Sequence, residues 1–373
     1  MLSTPLKAIC SWMSNKIIPI CIGIETNKNG MNFRISNSTN FNQFIEILDV
    51  PAKTNKEAEK VFFKLENLLN EVTKQKGRPY IVQGTAFSAA GPIWNNSVVL
   101  SNWNGPIINR TFHLNELSNS LFPKDKTIFL NDLEASGYGL SILANIEKDK
   151  IFKQLWPENS PKETLTQKDF TRAALLQMKT GLGASIIVKN SFTSKPFVIA
   201  TELGHIQIPS INSEERPLYQ FLSNYLYKGS QQPEYEDIAS ERGISNVYNY
   251  YKFKFGNNID NSKLPSTVSA KEIIQKARNG DKISLKVLST CFQHFIRAAK
   301  SIGVCMSVDT IFLGRNSFDS NWYMNVADLI LKEEFYSFIQ PEWIKTFRIY
   351  TQVKETNLNL LGVSYMAHNI ANQ

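Results

Sequence analysis

The sequence predicts a two-domain α/β protein, and three observations lead to that prediction. The chain has 373 residues, which is more than a single domain usually contains. Strand-like and helix-like segments alternate along it without an internal repeat, a pattern typical of layered α/β folds. An apolar run over residues 127–130 ends on Asn131-Asp132. A buried strand there would deliver a carboxylate to its C-terminal end, where open α/β sheets bind ligands.

The first half of the chain is predicted to open with a β-hairpin. Residues 17–24 form an apolar strand, and residues 32–36 form a second strand across an Asn-rich turn. A helix is predicted over residues 56–73, because its apolar residues repeat at helical spacing. The remaining predicted elements of this half are strands at 80–82 and 97–100, a turn out of the sheet at 90–93 and a short helix at 114–121.

The second half is predicted to begin at Asp132. Ser269 and Glu272 form a capping box for a helix that ends near Gly280. Strands are predicted at 184–188, 197–200, 308–313 and 347–353, and helices at 218–227, 283–302 and the end of 358–370. The predicted organisation is an N-terminal extension at 1–16, a smaller α/β domain at 17–130 joined by 357–373, and a larger α/β domain at 131–356.

Composition narrows the functional classes. A hydrophobic fraction of 42% provides enough apolar side chains for packed cores, which argues against wholesale disorder. Lys and Arg number 41 against 33 Asp and Glu, a net charge of +8. Because the lysines are spread along the chain without a dense basic block or an aromatic-interleaved stripe, a scattered basic surface is favoured over nucleic-acid binding. The apolar run at 17–24 is short and contains Pro19, so no transmembrane segment is predicted.

Cysteine usage indicates an intracellular protein. Cys10, Cys21, Cys291 and Cys305 lie far apart and form no C-x-x-C pair, so neither a zinc site nor a redox motif is predicted, and no other metal site is expected. Residues 1–24 contain no acidic residue, which fits a weak mitochondrial targeting segment, although Arg is absent and Pro5 interrupts the pattern. A cytoplasmic and a mitochondrial location both remain open.

Several short motifs follow Asn131-Asp132. They are Thr180-Gly181-Leu182-Gly183, Glu202-Leu203-Gly204-His205 and Tyr235-Glu236-Asp237. Taken singly, each has an ordinary structural interpretation: Asn-Asp is often a helix N-cap, and an isolated Glu or His is often a surface or loop residue. In this order and at these spacings, however, they resemble the bacterial-type glucokinases, the group A hexose kinases that include protist members. The resemblance implies an actin-like, ribonuclease-H-like, two-domain sugar kinase fold.

The resemblance also implies a hexose site. Asp132 matches the general base that accepts the proton of the 6-hydroxyl group as its oxygen attacks the γ-phosphorus. The residues that match the family's other sugar ligands are Asn102, Asn131, Glu202, His205 and Glu236. Carboxylates and amides suit a hexose, because they pair with its hydroxyl groups and reject analogues that lack one. Glucose is therefore the expected ligand.

The motifs that match the family's nucleotide site are less complete. Thr180, Gly181, Gly183 and Gly314 match positions around the nucleotide. The family's D-x-G-G-T motif is matched here to 24–28, where Ile24 replaces the Asp and Thr26-Asn27 replaces the glycines, so a clash with phosphates or a spoiled turn is expected. The other departures are Lys179 for a glycine, Ser240-Glu241-Arg242-Gly243 for S-G-x-G, and Gly314-Arg315-Asn316 for a glycine pair.

Two functional hypotheses follow from this contrast. The first is a glucokinase-like protein that is catalytically weak or inactive, binds no Mg-ATP, and serves as a structural or accessory subunit of a larger assembly or as a homo-oligomer. The alternative is an active glucokinase that uses Mg-ATP to phosphorylate the 6-hydroxyl group of glucose. The fold itself does not decide between them, because one fold hosts enzymes and scaffolds alike.

Overall fold

The computed structural model describes residues 9, 12, 17–74, 77–143, 151–156, 170–189, 195–209, 213–255, 268–314 and 329–373, except the side chain of Val72. The chain divides into two compact units. Unit 1 comprises Met1–Ile146, Pro196–Val198 and Thr356–Gln373, and unit 2 comprises Glu147–Lys195 and Ile199–Glu355. Most of the predicted extension at 1–16, Cys10, Arg315 and Asn316 lie outside the described residues.

The main sheet of unit 1 contains β1 (Ile18–Asn27), β2 (Gly30–Asn37), β3 (Asn40–Pro51), β4 (Tyr80–Ala89) and β8 (Thr127–Asn131) in the order β3-β2-β1-β4-β8. β1, β2 and β3 pair in antiparallel fashion, whereas β4 and β8 run parallel to β1. Alternate residues of β1, including Ile20, Ile22 and Ile24, enter one apolar core. A smaller sheet contains β5 (Ile93–Trp94), β6 (Ser97–Val99) and β7 (Thr111–His113).

Among the described residues, unit 1 has three α-helices: α1 (Asn55–Lys74), α2 (Asp132–Leu143) and α8 (Leu358–Ala371). Glycines allow α2 and α8 to touch backbone to backbone. A Cβ atom on Gly362 would overlap the carbonyl oxygen of Ala135, and one on Gly139 would overlap that of Leu358. Since α2 is held in this way, residues 131–146 belong to unit 1 rather than to the larger domain in which the sequence placed them.

Unit 2 repeats the strand order of unit 1. Its sheet contains β9 (Phe152–Trp156), β10 (Arg172–Met178), β11 (Leu182–Val188), β12 (Phe197–Thr201), β13 (Thr310–Leu313) and β14 (Arg348–Gln352), in the order β12-β11-β10-β13-β14-β9. β10 pairs antiparallel to β11 and parallel to β13, just as β1 does with β2 and β4. The first two residues of β12 are assigned to unit 1 and its last three to unit 2.

The α-helices in the described part of unit 2 are α3 (Arg216–Tyr227), α4 (Glu241–Phe255), α5 (Ala270–Arg278), α6 (Lys282–Met306) and the short α7 (Pro341–Ile344). The Ser269–Glu272 capping box is present at α5, as predicted. α6 is the longest described helix of this unit, and its apolar face, which includes Val287, Cys291 and Phe295, is fully buried. The predicted α/β class is therefore confirmed in both units.

Some elements differ from the sequence prediction. The helix expected at 114–121 is only a 3-10 turn at Leu114–Glu116, because the hydroxyl groups of Ser118 and Ser120 donate hydrogen bonds to the carboxylate of Glu66 instead of facing a helix exterior. β3, β9, β10, α2 and α4 were not predicted. Among the helices of the described residues, none is both long and apolar enough to cross a bilayer.

Candidate functional site

Asn131 and Asp132 lie at the junction between a strand and a helix of unit 1. β8 ends at Asn131, and α2 begins at Asp132. The Oδ1 atom of Asn131 accepts a hydrogen bond of 2.8 Å from the backbone N–H group of Leu133. Asn131 therefore caps the helix, as the ordinary interpretation of an Asn-Asp pair expects, and this cap fixes Asp132 in the first helical turn, where the helix dipole favours a negative charge.

Glu134 is part of the same helix start and was not identified from the sequence. Its carboxylate interacts with the backbone N–H group of Asn131, the residue whose side chain caps the same helix. Burial is the main influence on Glu134 and raises its pKa to about 7, although the Asn131 hydrogen bond opposes it. The N-x-x-E spacing of Asn131 and Glu134 was the available signal.

Asn102 lies in the loop after β6, also in unit 1. Its neighbour Ser101 donates a hydrogen bond of 2.7 Å to the carbonyl oxygen of Ala90, and the indole N–H group of Trp103 donates one of 3.0 Å to the carbonyl oxygen of Asn27. The Oδ1 atom of Asn102 is shielded from solvent and has no hydrogen-bond partner among the described residues. Hydrogen bonds from Ser101 and Trp103 thus anchor the loop on both sides of Asn102, whose amide oxygen accepts no hydrogen bond from the described residues.

The β1–β2 turn does not have the form that the sequence predicted. β1 extends to Asn27, past the predicted strand end at Ile24: Ile24 is buried in the apolar core, and the hydroxyl group of Thr26 donates to the carbonyl oxygen of Ser88 at 3.0 Å. Thr26 therefore lies within the strand and not in the turn. Glu25 faces away from that core and accepts hydrogen bonds from Asn32 and Asn357 at 2.8 and 2.5 Å.

The turn itself falls at Lys28-Asn29, between Asn27 and Gly30. The Oδ1 atom of Asn27 accepts hydrogen bonds from the backbone N–H groups of Asn29 and Gly30, at 2.8 and 3.1 Å. Gly30 has a φ of 153°, and a Cβ atom there would overlap the carbonyl oxygen of Val50. Gly30 therefore stands where the hairpin requires a glycine. The side chain of Asn27 stabilises the turn by accepting backbone N–H groups.

Unit 2 contains a cluster of ionisable side chains, which we call the Glu236 cluster. Its members are Glu202, His205, Glu234, Glu236, Asp237 and Arg242. Three of these, Glu234, Asp237 and Arg242, were not assigned to the sugar site from the sequence. The sequence signal for Glu234 and Asp237 was the run Glu234-Tyr235-Glu236-Asp237, which places three acidic side chains in one short segment. Close carboxylates of this kind need different hydrogen-bond partners.

His205 and Glu202 border a 3-10 turn at Leu203–His205. The Nδ1–H group of His205 donates a hydrogen bond of 2.8 Å to Glu234, and this bond is the main reason why the pKa of His205 is raised. The Nε2 atom lies 4.0 Å from a carboxylate oxygen of Glu202, whose side chain is 76% exposed. Glu234 therefore fixes the imidazole ring and leaves its Nε2 atom and the Glu202 carboxylate available to a ligand.

Glu236 lies against the turn that contains Thr180 and Gly181. Its Oε2 atom accepts a hydrogen bond of 2.9 Å from the backbone N–H group of Leu182. A Cβ atom on Gly181 would overlap that same oxygen, and one on Gly204 would lie 3.4 Å from it. The glycine at 181 thus makes room for Glu236, whereas the one at 204 makes room for the carbonyl oxygen of Leu182. The Glu236 carboxylate joins two motifs that are separate in sequence.

Two departures from the expected nucleotide motif have structural roles. The backbone N–H group of Glu241 donates to the carbonyl oxygen of Lys179 at 2.8 Å, so the start of α4 is tied to the 179–183 turn. The Nη2 atom of Arg242 lies 3.0 Å from Glu236 Oε1 and 3.3 Å from Asp237 Oδ1. These residues hold the cluster together, and the structure gives no sign that they block it.

The remaining predicted residues lie nearby in the same unit. Thr180 is exposed, and Gly183 lies within β11. Gly314 directly follows β13 and donates its N–H group to the carbonyl oxygen of Leu176 on the neighbouring strand. The structure thus brings Glu202, His205, Glu236 and the 179–183 turn together in unit 2, and it joins Asn131 to Asp132 in unit 1. In the part of the chain that is described, no three His, Cys, Asp or Glu side chains are arranged to hold a metal ion.

Comparisons with known proteins identify relatives of this chain. The family model of glucokinase matches residues 34–309. The chain is 35% identical to "Probable glucokinase 2" and 34% identical to "Glucokinase 1", both from Trichomonas vaginalis, in each case over 99% of this chain and 98% of the relative. A solved structure of glucokinase from Balamuthia mandrillaris in complex with glucose is 26% identical, with a TM-score of 0.81 over 97% of this chain and 98% of that one.

These similarities extend over both units. The family model covers well over half of the chain, and the two curated relatives cover almost all of it. The likeness to the Balamuthia structure confirms the predicted actin-like, two-domain sugar kinase fold. The chain therefore belongs to the glucokinase family.

Proposed function

We propose that this protein is an active glucokinase, which transfers the γ-phosphoryl group of Mg-ATP to the 6-hydroxyl group of glucose. The observation that carries the proposal is the Asn131–Asp132 pair at the start of α2, because it supplies a fixed carboxylate in a chain of the glucokinase family. The relatives that cover the whole chain bear the name glucokinase, which supports the same activity.

Asp132 is the proposed general base. The cap at Asn131 fixes the backbone at the start of the helix, so the position from which the Asp132 side chain projects is set before the substrate arrives. It would accept the proton of the 6-hydroxyl group while that oxygen attacks the γ-phosphorus. A positioned base of this kind contributes roughly 10²–10⁴ to the rate.

The other predicted sugar ligands supply complementary hydrogen-bonding groups. Asn102 has an unused amide oxygen, which can accept a hydrogen bond from a hydroxyl group. In unit 2, Glu202 and the Nε2 atom of His205 are exposed, whereas Glu236 is oriented by Leu182 and Arg242. Carboxylate, imidazole and amide groups pair with hydroxyl groups, which is why we assign these residues to the recognition of a hexose.

The residues around the 179–183 turn fit the phosphate groups of a nucleotide. The turn is narrow at Gly181, the hydroxyl group of Thr180 is exposed, and Lys179 adds a positive charge. In unit 1, Lys28 occupies the β1–β2 turn. A magnesium ion bound with ATP would neutralise charge on the transferring phosphoryl group, and it would need only one or two protein carboxylates because phosphates and waters complete its shell.

The hypothesis of a weak or inactive accessory subunit finds no support in the comparisons. It depended on side chains that would damage the nucleotide turns, but Ile24 and Thr26 lie within β1, and Glu241 and Arg242 make ordered contacts. The roles of the individual site residues, the use of Mg-ATP and the location in the cell remain proposals. A protein partner would be the expected finding only if the purified protein were inactive.

Activity can be tested directly on the purified full chain. Formation of glucose 6-phosphate from glucose and Mg-ATP is expected for the wild-type protein, with a loss of about 10²-fold or more in kcat for Asp132→Asn. The matched control is Asp125→Asn, since Asp125 is an exposed aspartate of the same unit outside the proposed site. This control should retain wild-type activity.

The contradictory outcomes are clear. A well-folded wild-type protein that forms no product would overturn the proposed function, and equal turnover by the wild-type protein and Asp132→Asn would remove Asp132 from the role of base. Glucose binding should be measured on the same samples by calorimetry without nucleotide. Binding without turnover would place the defect in phosphoryl transfer rather than in sugar recognition.

A further inference from the structure

Arg242 forms an ion pair with Glu236, a carboxylate of the predicted hexose site. Its Nη2 atom contacts Glu236 Oε1 at 3.0 Å and Asp237 Oδ1 at 3.3 Å. The carboxylate of Asp237 is almost fully buried, with a side chain only 2% exposed, whereas the Arg242 side chain is 52% exposed. The guanidinium group therefore extends from solvent onto two adjacent carboxylates.

Both oxygen atoms of the Glu236 carboxylate accept a hydrogen bond from the protein. Oε2 accepts the backbone N–H group of Leu182 at 2.9 Å, and Oε1 accepts Arg242. Each carboxylate oxygen has a second lone pair, so both can still accept a hydroxyl group of a ligand. The two protein donors fix the plane of the carboxylate before a ligand binds, which lowers the entropy that binding must overcome.

Arg242 also offsets repulsion between like charges. Glu234, Glu236 and Asp237 lie within four consecutive residues, and Asp237 is stabilised further by Tyr227 and by the backbone N–H group of Glu234, at 2.6 and 2.9 Å. Glu236 has no comparable third donor among the described residues. Without Arg242, it would face Asp237 with only the Leu182 bond to hold it.

We propose that Arg242 is a positioning residue for sugar recognition: it fixes Glu236 and thereby sets the affinity of this protein for its hexose. The inference deepens the proposed function and rests on it, since it assigns Glu236 to the hexose. Arg242 acts through Glu236 and takes no part in the transfer of the phosphoryl group. Its effect should therefore appear in sugar binding and leave kcat at saturating sugar nearly unchanged.

The test compares Arg242→Gln, Arg242→Lys and the wild-type protein as full chains. Glucose binding is measured by calorimetry without nucleotide, and steady-state kinetics are measured separately with varied glucose and varied Mg-ATP. Arg242→Gln should raise the Kd and the KM for glucose about tenfold, with less than a threefold change in kcat and in the KM for ATP. Because a single nitrogen atom makes both contacts, Arg242→Lys should recover a large part of the affinity.

The matched control is Arg216→Gln, which removes the same charge from an exposed arginine of unit 2. It should leave glucose binding unchanged, and thermal unfolding of each variant verifies that it is folded. Unchanged glucose affinity in Arg242→Gln would overturn the inference, as would a defect confined to kcat or to the KM for ATP, which would assign Arg242 to the phosphate groups.

The two proposals can fail separately. If the wild-type protein binds glucose but forms no glucose 6-phosphate, the proposed activity fails, while the Arg242 effect is still read from the binding measurement. If the wild-type protein does not bind glucose, Arg242 has no sugar to position and the inference is overturned as well.

Discussion

The helix that begins at Asp132 and the turn that supports Glu236 are fixed by different kinds of contact. In unit 1, α2 touches α8 backbone to backbone at Gly139 and Gly362. In unit 2, Glu236 is held by one backbone N–H group and one exposed guanidinium group. Backbone contacts cannot yield without moving a whole helix, whereas a side chain can rotate. The helix that carries the proposed base is therefore rigidly fixed, whereas the proposed sugar-binding carboxylate of Glu236 can change its orientation.

The largest expected effect tests the rigid side of this comparison. Gly362→Ala would place a Cβ atom on the carbonyl oxygen of Ala135, so α2 and α8 would have to separate. An alanine in a helix is normally stabilising by about 1 kcal/mol relative to glycine. Here we expect the opposite sign, a loss of about 4 kcal/mol in the free energy of unfolding, measured by denaturant titration.

Ser364→Ala is the matched control on the same helix. Ser364 is fully buried, and its hydroxyl group has no hydrogen-bond partner among the described residues, so its loss should cost little. If Gly362→Ala were as stable as Ser364→Ala, the contact between α2 and α8 would not be rigid.

The next effect tests the adjustable side. Gly181→Ala would place a Cβ atom on Glu236 Oε2 and break the bond from Leu182, with an expected cost of about 2 kcal/mol in the free energy of unfolding. Because the atom that a Cβ at position 181 would overlap belongs to the Glu236 side chain, removing that side chain should relieve the overlap. In a Glu236→Ala background, the same Gly181→Ala change should cost less than about 1 kcal/mol.

This double-mutant cycle is read by thermal and denaturant unfolding, so it does not depend on activity. An equal cost of Gly181→Ala in both backgrounds would show that the backbone of the turn, rather than Glu236, requires the glycine.

The stability of the protein should depend on pH through Glu134, which lies in the first turn of α2. The pKa of Glu134 is raised by burial from 4.5 to about 7, so the folded state holds the proton more tightly than the unfolded state. This contribution to stability is full below about pH 4.5 and is lost as the pH rises toward 7. Since a pKa displaced by one corresponds to about 1.4 kcal/mol, the rise from 4.5 to about 7 predicts a loss of roughly 3 kcal/mol.

Glu134→Gln should flatten that pH dependence, since an amide keeps an acceptor for the Asn131 N–H group without titrating. Glu116→Gln, which changes an exposed carboxylate of the same unit, should leave the dependence as in the wild-type protein. Denaturant unfolding at several pH values between 4.5 and 7.5 measures both. A slope that survives in Glu134→Gln would assign the effect to another group.

The smallest expected effect concerns the support of Asp237. Tyr227→Phe removes the hydroxyl group that donates to Asp237 Oδ2 at 2.6 Å, while the backbone N–H group of Glu234 and Arg242 remain as donors. We expect a loss of about 1 kcal/mol in the free energy of unfolding. Tyr225→Phe, two residues away on the same helix, should change stability by less than half as much. Equal losses would indicate that Asp237 does not depend on Tyr227.

Local patterns accounted for much of the fold. The helix at Asn55–Lys74 follows from apolar residues at helical spacing, and the helix start at Ala270 follows from Ser269 and Glu272. These predictions were confirmed because the bonds involved join residues a few positions apart. Local patterns failed for the 114–121 segment, because the hydroxyl groups of Ser118 and Ser120 donate hydrogen bonds to Glu66, about 50 residues away in the sequence.

By itself, the sequence determined the family, the α/β class and the identity of the predicted site residues, because these depend on residue types in a fixed order. The tertiary structure decided what holds those residues. It extended β1 to Asn27, so that Thr26 lies within the strand and the β1–β2 turn falls at Lys28-Asn29, and it paired Arg242 with Glu236. Strand register and contacts between distant segments set these features, and no local pattern of residues encodes them.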